Sequence, residues 1–115
     1  MQITIGFEGD DPVADTVELR DWLHNARIRE VDRVTQEELP PKPGEQGPML
    51  LAILTVVLGS KALVELVRSI HRFIEARTPK TTITITVGEK SIKIDYVNPP
   101  SSAELVEQVK ILASD

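Results

Sequence analysis

Hydrophobic and polar positions alternate with two different periods along this chain. The densest apolar stretch runs from Met49 to Arg77, as MLLAILTVVLGS followed by KALVELVRSIHRFIEAR. In its second part the apolar residues recur at helical spacing. Ala62, Leu63, Leu66, Val67, Ile70, Phe73 and Ile74 share one side, and Lys61, Glu65, Arg68, Arg72 and Glu75 form the opposite, solvated stripe. Glu65 and Arg68 have the spacing of an intrahelical ion pair. Continued backwards at the same period, the charged stripe falls on Leu50, Leu54 and Val57–Leu58. The pattern predicts one long helix over 49–77, kinked at Gly59, whose first half is apolar all round. Such a half-helix needs cover from the rest of the chain, from a partner or from lipid.

The other elements are shorter. Gln2–Phe7 alternates, with Ile3, Ile5 and Phe7 on one face, and predicts a half-buried strand. Glu8-Gly-Asp-Asp-Pro predicts a turn. A helix follows, with Asp11 before Pro12 as its cap or Asp15 with Glu18 as a capping box. Val17, Leu19, Trp22 and Leu23 are too spread for a narrow stripe, and Trp22 is expected to anchor this helix on the sheet. Ile28–Val34 predicts a strand whose parity breaks at Val31, as at a bulge or an edge. Residues 35–48, with four prolines and two glycines, read as a loop. Thr81–Val87 and Ser91–Tyr96 alternate about Gly88-Glu89-Lys90 and predict a β-hairpin, with Ile83, Ile85, Val87, Ile92, Ile94 and Tyr96 inward. Pro99-Pro100 ends it. Ser101-Ser-Ala-Glu104 then offers a capping box for a last helix that buries Leu105, Val106, Val109, Leu112 and Ala113. The predicted order is β-α-β-α-β-β-α. This is an α+β fold with a four-stranded mixed sheet and three helices, the second long and apolar, in a single domain over 1–115. The first two strands are expected to be parallel across a right-handed crossover.

Composition narrows the function. The net charge of −5 speaks against nucleic acid, whose phosphates need a basic surface. Cysteine is absent, which removes disulfides, thiolate metal sites and a Cys nucleophile. MQITIGFEGDD has no basic region ahead of an apolar one, so it is no signal peptide and the cytoplasm is the expected compartment. Glu8, Asp10, Asp11 and Asp15 lack the ordered spacing of a calcium loop and read as turn and helix-start chemistry. Neither His24 nor His71 has a second His at i+4, and neither reads as a metal ligand. Ser60 follows Gly59 inside a helical period, not on a strand-to-helix elbow. The pair reads as a small-residue notch that admits another backbone. Gly44 and Gly47 make no phosphate loop. No catalytic residue, metal or cofactor is assigned. Spanning a membrane takes about 20 apolar residues, and the run stops at Gly59-Ser60-Lys61. Spanning is not expected, and peripheral insertion of the apolar half is the alternative reading.

An ordered set of landmarks remains. It comprises EGDD at 8–11, Leu19-Arg-Asp-Trp-Leu23, Arg29 and Arg33, Pro43-Gly-Glu-Gln-Gly47, Val57-Leu-Gly-Ser60, the Thr/Ile hairpin and the short last helix. Taken together the chain resembles the effector-associated constant component family. It departs from that pattern at Lys61-Ala62, where a glycine-rich continuation is expected, and at Phe73, where the family has Trp. The Arg-rich end is reduced to Arg72 and Arg77. The resemblance implies a non-enzymatic adaptor in a bacterial, NTPase-dependent conflict (antiviral) system. Its partner would be a variable effector, such as a caspase-like or trypsin-like peptidase, or the NTPase. The apolar half-helix and the adjoining loop suggest the contact surface: Gly44, Glu45, Gln46, Gly47, Leu50, Leu54, Val57, Leu58 and Gly59. Self-association through the long helix is the companion expectation.

Overall fold

The computed structural model describes residues 1–8, 11–39, 51–76, 82–95 and 100–113. Five strands form one sheet in the order β2-β3-β1-β4-β5, where β1 is Gln2–Glu8, β2 Val31–Leu39, β3 Leu51–Leu58, β4 Thr82–Val87 and β5 Lys90–Asp95. Every neighbouring pair is antiparallel. Three helices, α1 (Pro12–Ala26), α2 (Leu63–Ala76) and α3 (Ser102–Ala113), lie on one face of the sheet.

The main correction concerns the long helix. Its first half is strand β3, and the chain becomes helical only after Gly59, through a 3-10 turn at Ser60–Ala62. Leu51–Leu58 is eight residues long and holds Ile53, Thr55, Val56 and Val57, whose β-branching crowds a helix and suits a pleated surface. Alternation resolves what the helical period left unexplained. Leu54, Val56 and Leu58 are buried, while Ile53, Thr55 and Val57 are half-exposed on the other face. The apolar stripe thus needs cover on one side only, and the helices provide it.

The extra strand changes the topology. β1 and β2 run the same way, as expected, but β3 lies between them and pairs antiparallel with both. The sheet has five strands, not four, and is antiparallel, not mixed. β2 also begins and ends later than its apolar residues suggest. Thr35, Gln36, Glu37 and Glu38, assigned above to a loop, extend the strand along β3. Glutamate is a poor strand former, and an edge position tolerates it. The parity break at Val31 is a register shift between Val31 and Arg33, with Asp32 the extra residue.

Local signals fix the remaining ends. Asp11 caps α1, its Oδ1 accepting from the Ala14 amide at 3.1 Å with Pro12 at the first position. Asp15, the other candidate, is buried inside the helix. Arg27 closes α1 in the left-handed region at φ 49°. Ser101 caps α3 through its Oγ, 3.2 Å from the Glu104 amide. The β4–β5 hairpin turns on Gly88-Glu89, between the paired Val87 and Lys90. Gly88 has φ +62° and Glu89 stays at negative φ, the pattern of a type II′ turn.

The core lies between sheet and helices. Ile3, Ile5, Phe7, Leu54, Leu58, Ile83, Ile85 and Ile94 meet Leu19, Leu66, Ile70, Phe73, Leu105 and Val109. The last helix buries Leu105, Val106 and Val109, while Leu112 and Ala113 sit at its margin. Tyr96 lies outside the described residues.

Candidate functional site

Alternation in five paired strands leaves one face of the sheet without helices. Register sets its side chains in rows. One row runs Thr35, Thr55, Thr4, Thr86 and Ser91, one hydroxyl from each strand in sheet order. The next runs Glu37, Ile53, Gly6, Thr84 and Lys93, and a third pairs Arg33, Val57 and Gln2. The middle of this face (Thr4, Gly6, Ile53, Thr55, Val57, Thr84, Thr86) is half-buried and carries no charge. The charges stand at its margins. Arg33 and Glu37 are on the β2 edge, and Lys93 meets Glu8 at 3.7 Å on the other side. An uncharged centre inside a charged rim is the anatomy of a protein-binding patch. Gly6 keeps the middle low, since a Cβ there would meet only Ile53, at 3.9 Å.

Of the residues expected to form an interface, Leu54 and Leu58 are 0% and 1% exposed and belong to the core. Val57 is on the open face. Gly59 is neither core nor open face but a junction. Its amide donates to the Glu30 carbonyl at 2.7 Å, and a Cβ on it would stand 3.4 Å from that of Glu30. The notch expected at Gly59-Ser60 therefore admits the backbone of the turn before β2. Gly44, Glu45, Gln46, Gly47 and Leu50 lie outside the described residues. What the sequence reading missed is the hydroxyl row: the alternating threonines of β4 were visible, but their alignment with Thr4, Thr35 and Thr55 depends on register between distant strands.

The helical side has two further polar features. Trp22 is half-buried between α1 and α2, and its indole N–H donates to the Ser69 carbonyl at 3.1 Å and to Ser69 Oγ at 3.0 Å. Its ring packs edge-on to Phe73, centroids 5.8 Å apart, and Phe73 meets Phe7 of β1 at 6.3 Å. Trp22 thus anchors α1 to α2, and Phe73 passes the contact to the sheet. Beside it lies a shallow groove of ≈ 380 Å³ lined by Trp22, Asn25, Ala26, Ser69 and Arg72. His71 is buried, with Nδ1 2.8 Å from Glu75 Oε1 and Nε2 2.9 Å from the Pro100 carbonyl. Both neighbours are acceptors, so a neutral ring donates to one of them at a time. The residue ties α2 to the start of α3. Asp11 is engaged as a helix cap, and among the described residues no group of three or more His, Asp or Glu is placed to hold a metal ion.

The family model for Effector Associated Constant Component 1 matches residues 8–112, nearly the whole chain. The chain belongs to the Effector Associated Constant Component 1 family. No curated protein and no solved structure shows significant similarity to it. Membership in Effector Associated Constant Component 1 makes the chain an accessory module associated with effectors in conflict systems. The family is a constant accessory component and not a known catalytic one. Among the described residues of this member of Effector Associated Constant Component 1, no helix is long and apolar enough to cross a membrane.

Proposed function

We propose that this chain is a non-enzymatic adaptor that holds a variable effector of a bacterial antiviral conflict system against the open face of its sheet. The effector is, for example, a caspase-like or trypsin-like peptidase. The observation that carries this reading is the contrast between the two faces. One is closed by three helices, and the other presents threonine, isoleucine and valine inside a charged rim. Antiparallel sheets often leave one face to water, with polar alternation. Here Ile53 and Val57 interrupt that alternation on β3, between the edge strand β2 and the central strand β1. The proposed contact residues are Thr4, Ile53, Thr55, Val57 and Thr84, and Val57 is the one that the sequence had already suggested.

The test is a binding titration with a caspase-like or trypsin-like peptidase domain from the same conflict system. Thr4→Glu and Val57→Glu are expected to weaken binding tenfold or more while the melting temperature changes by only a few degrees, because each puts a charge into the uncharged part of the patch. Retained binding in both variants, with loss on charge reversal of the α2 stripe at Arg68 and Arg72, would move the partner to the helical side.

A further inference from the structure

β2 is an edge strand: among the described residues nothing pairs with its outer side, where alternate residues of Val31–Leu39 present unpaired N–H and C=O groups. Such an edge templates pairing with other chains, and natural proteins guard it with charges and bulges. β2 has both, a bulge at Asp32 and exposed side chains at Asp32, Arg33 and Glu37. Charges turn away most strands, but they favour one that complements them. Neither Arg33 nor Glu37 forms an ion pair with another described residue.

Two copies of one strand can pair antiparallel about a twofold axis, each residue facing its counterpart across the axis. With the axis at Thr35, Arg33 of each copy faces Glu37 of the other, twice by symmetry, and both pairs lie on the open face. Moving the axis to Val34 or Gln36 sets Arg33 or Glu37 against Thr35 instead. Moving it to Arg33 or Glu37 sets like charge against like. A second observation selects the same register. Thr35 is the end of the hydroxyl row, so an axis there places threonine against threonine and joins two rows into one line. Opposite charges and paired threonines are both favourable cross-strand neighbours. On the inner face Val34 would meet Gln36, which Arg20 of α1 already holds at 3.1 Å. At the other edge, Lys93 of β5 is engaged by Glu8.

We propose that the chain forms a twofold dimer through β2, with Thr35 on the axis, fusing two five-stranded sheets into one of ten. The dimer doubles the open face and is independent of which effector that face takes. The experiment is sedimentation of the full chain across concentration as wild type, Arg33→Glu, Glu37→Arg, an equal mixture of these two, and the double exchange. The wild type is expected to dimerise. Each single variant should dimerise on the order of tenfold more weakly, because two symmetric pairs become repulsive. The mixture should recover, since one copy then carries acids at both positions and the other bases. The double exchange should recover alone. Arg33→Gln and Glu37→Gln repeat the test with smaller changes and smaller losses, should either reversal disturb folding. A wild type that is monomeric throughout, dimers indifferent to both reversals, or a mixture that fails to recover would each overturn the proposal.

Discussion

Arg27 and Gly88 both stand at positive φ, with opposite consequences. Arg27 ends α1 at φ 49°, where a side chain is strained and glycine is not. Arg27→Gly is expected to raise stability by about 0.5–1 kcal/mol, read as a higher midpoint in urea at unchanged slope. Gly88 sits at φ +62° in the β4–β5 turn. A Cβ there meets nothing within 4 Å, so Gly88→Ala isolates the backbone cost, expected at about 1 kcal/mol of destabilisation in the same assay. Leu54 and Val57 make a second contrast, three residues apart on β3. Leu54→Ala should cost about 2–5 kcal/mol, since it opens a cavity between the sheet and the helices. Val57, on the open face, should tolerate Glu with a change of melting temperature of only a few degrees.

At the scale of elements, caps and alternation were legible before any coordinates. Asp11-Pro12, Ser101-x-x-Glu104, Gln2–Phe7 and the Thr/Ile hairpin each show their local rule, and each forms where the rule puts it. Ser101→Ala is expected to cost about 0.5–2 kcal/mol and to loosen α3 first, visible as faster amide exchange at Glu104 and Leu105. The two misreadings have opposite physical origins. A fully apolar run such as LAILTVVL fits either period, and joining it to an amphipathic helix lends it the helix's period by continuity. Its eight-residue length, four β-branched residues and terminal Gly59 were the discriminating signals. β2 was shortened for the converse reason. Gln36–Glu38 have weak strand character of their own and are held by pairing with β3, a long-range contact that local pattern does not contain. Trp22 illustrates an intermediate case. It was expected to anchor α1 on the sheet, but it holds α1 to α2, through Ser69, 47 residues away. Trp22→Phe keeps the ring packing on Phe73 and removes the indole N–H, and should cost about 0.5–1.5 kcal/mol in denaturant unfolding.

On the scale of the whole molecule, the two faces of the sheet divide the work. Helices α1, α2 and α3 close one face and supply the folding energy through aliphatic burial. The other face is free of that task, and its row of hydroxyls with a central Ile and Val is available to a partner. Of the expected contact residues, Leu54 and Leu58 belong to the core, while Val57 lies on the open face, where the proposal places the partner. The most direct measurement is amide hydrogen exchange on the chain alone and mixed with a caspase-like or trypsin-like peptidase domain of the same conflict system. The account predicts that addition of the peptidase protects β1 and β3, around Thr4 and Thr55, and leaves α2 unchanged. Protection confined to α1 and α2, around Trp22 and Arg72, would contradict it and assign the effector to the helical face.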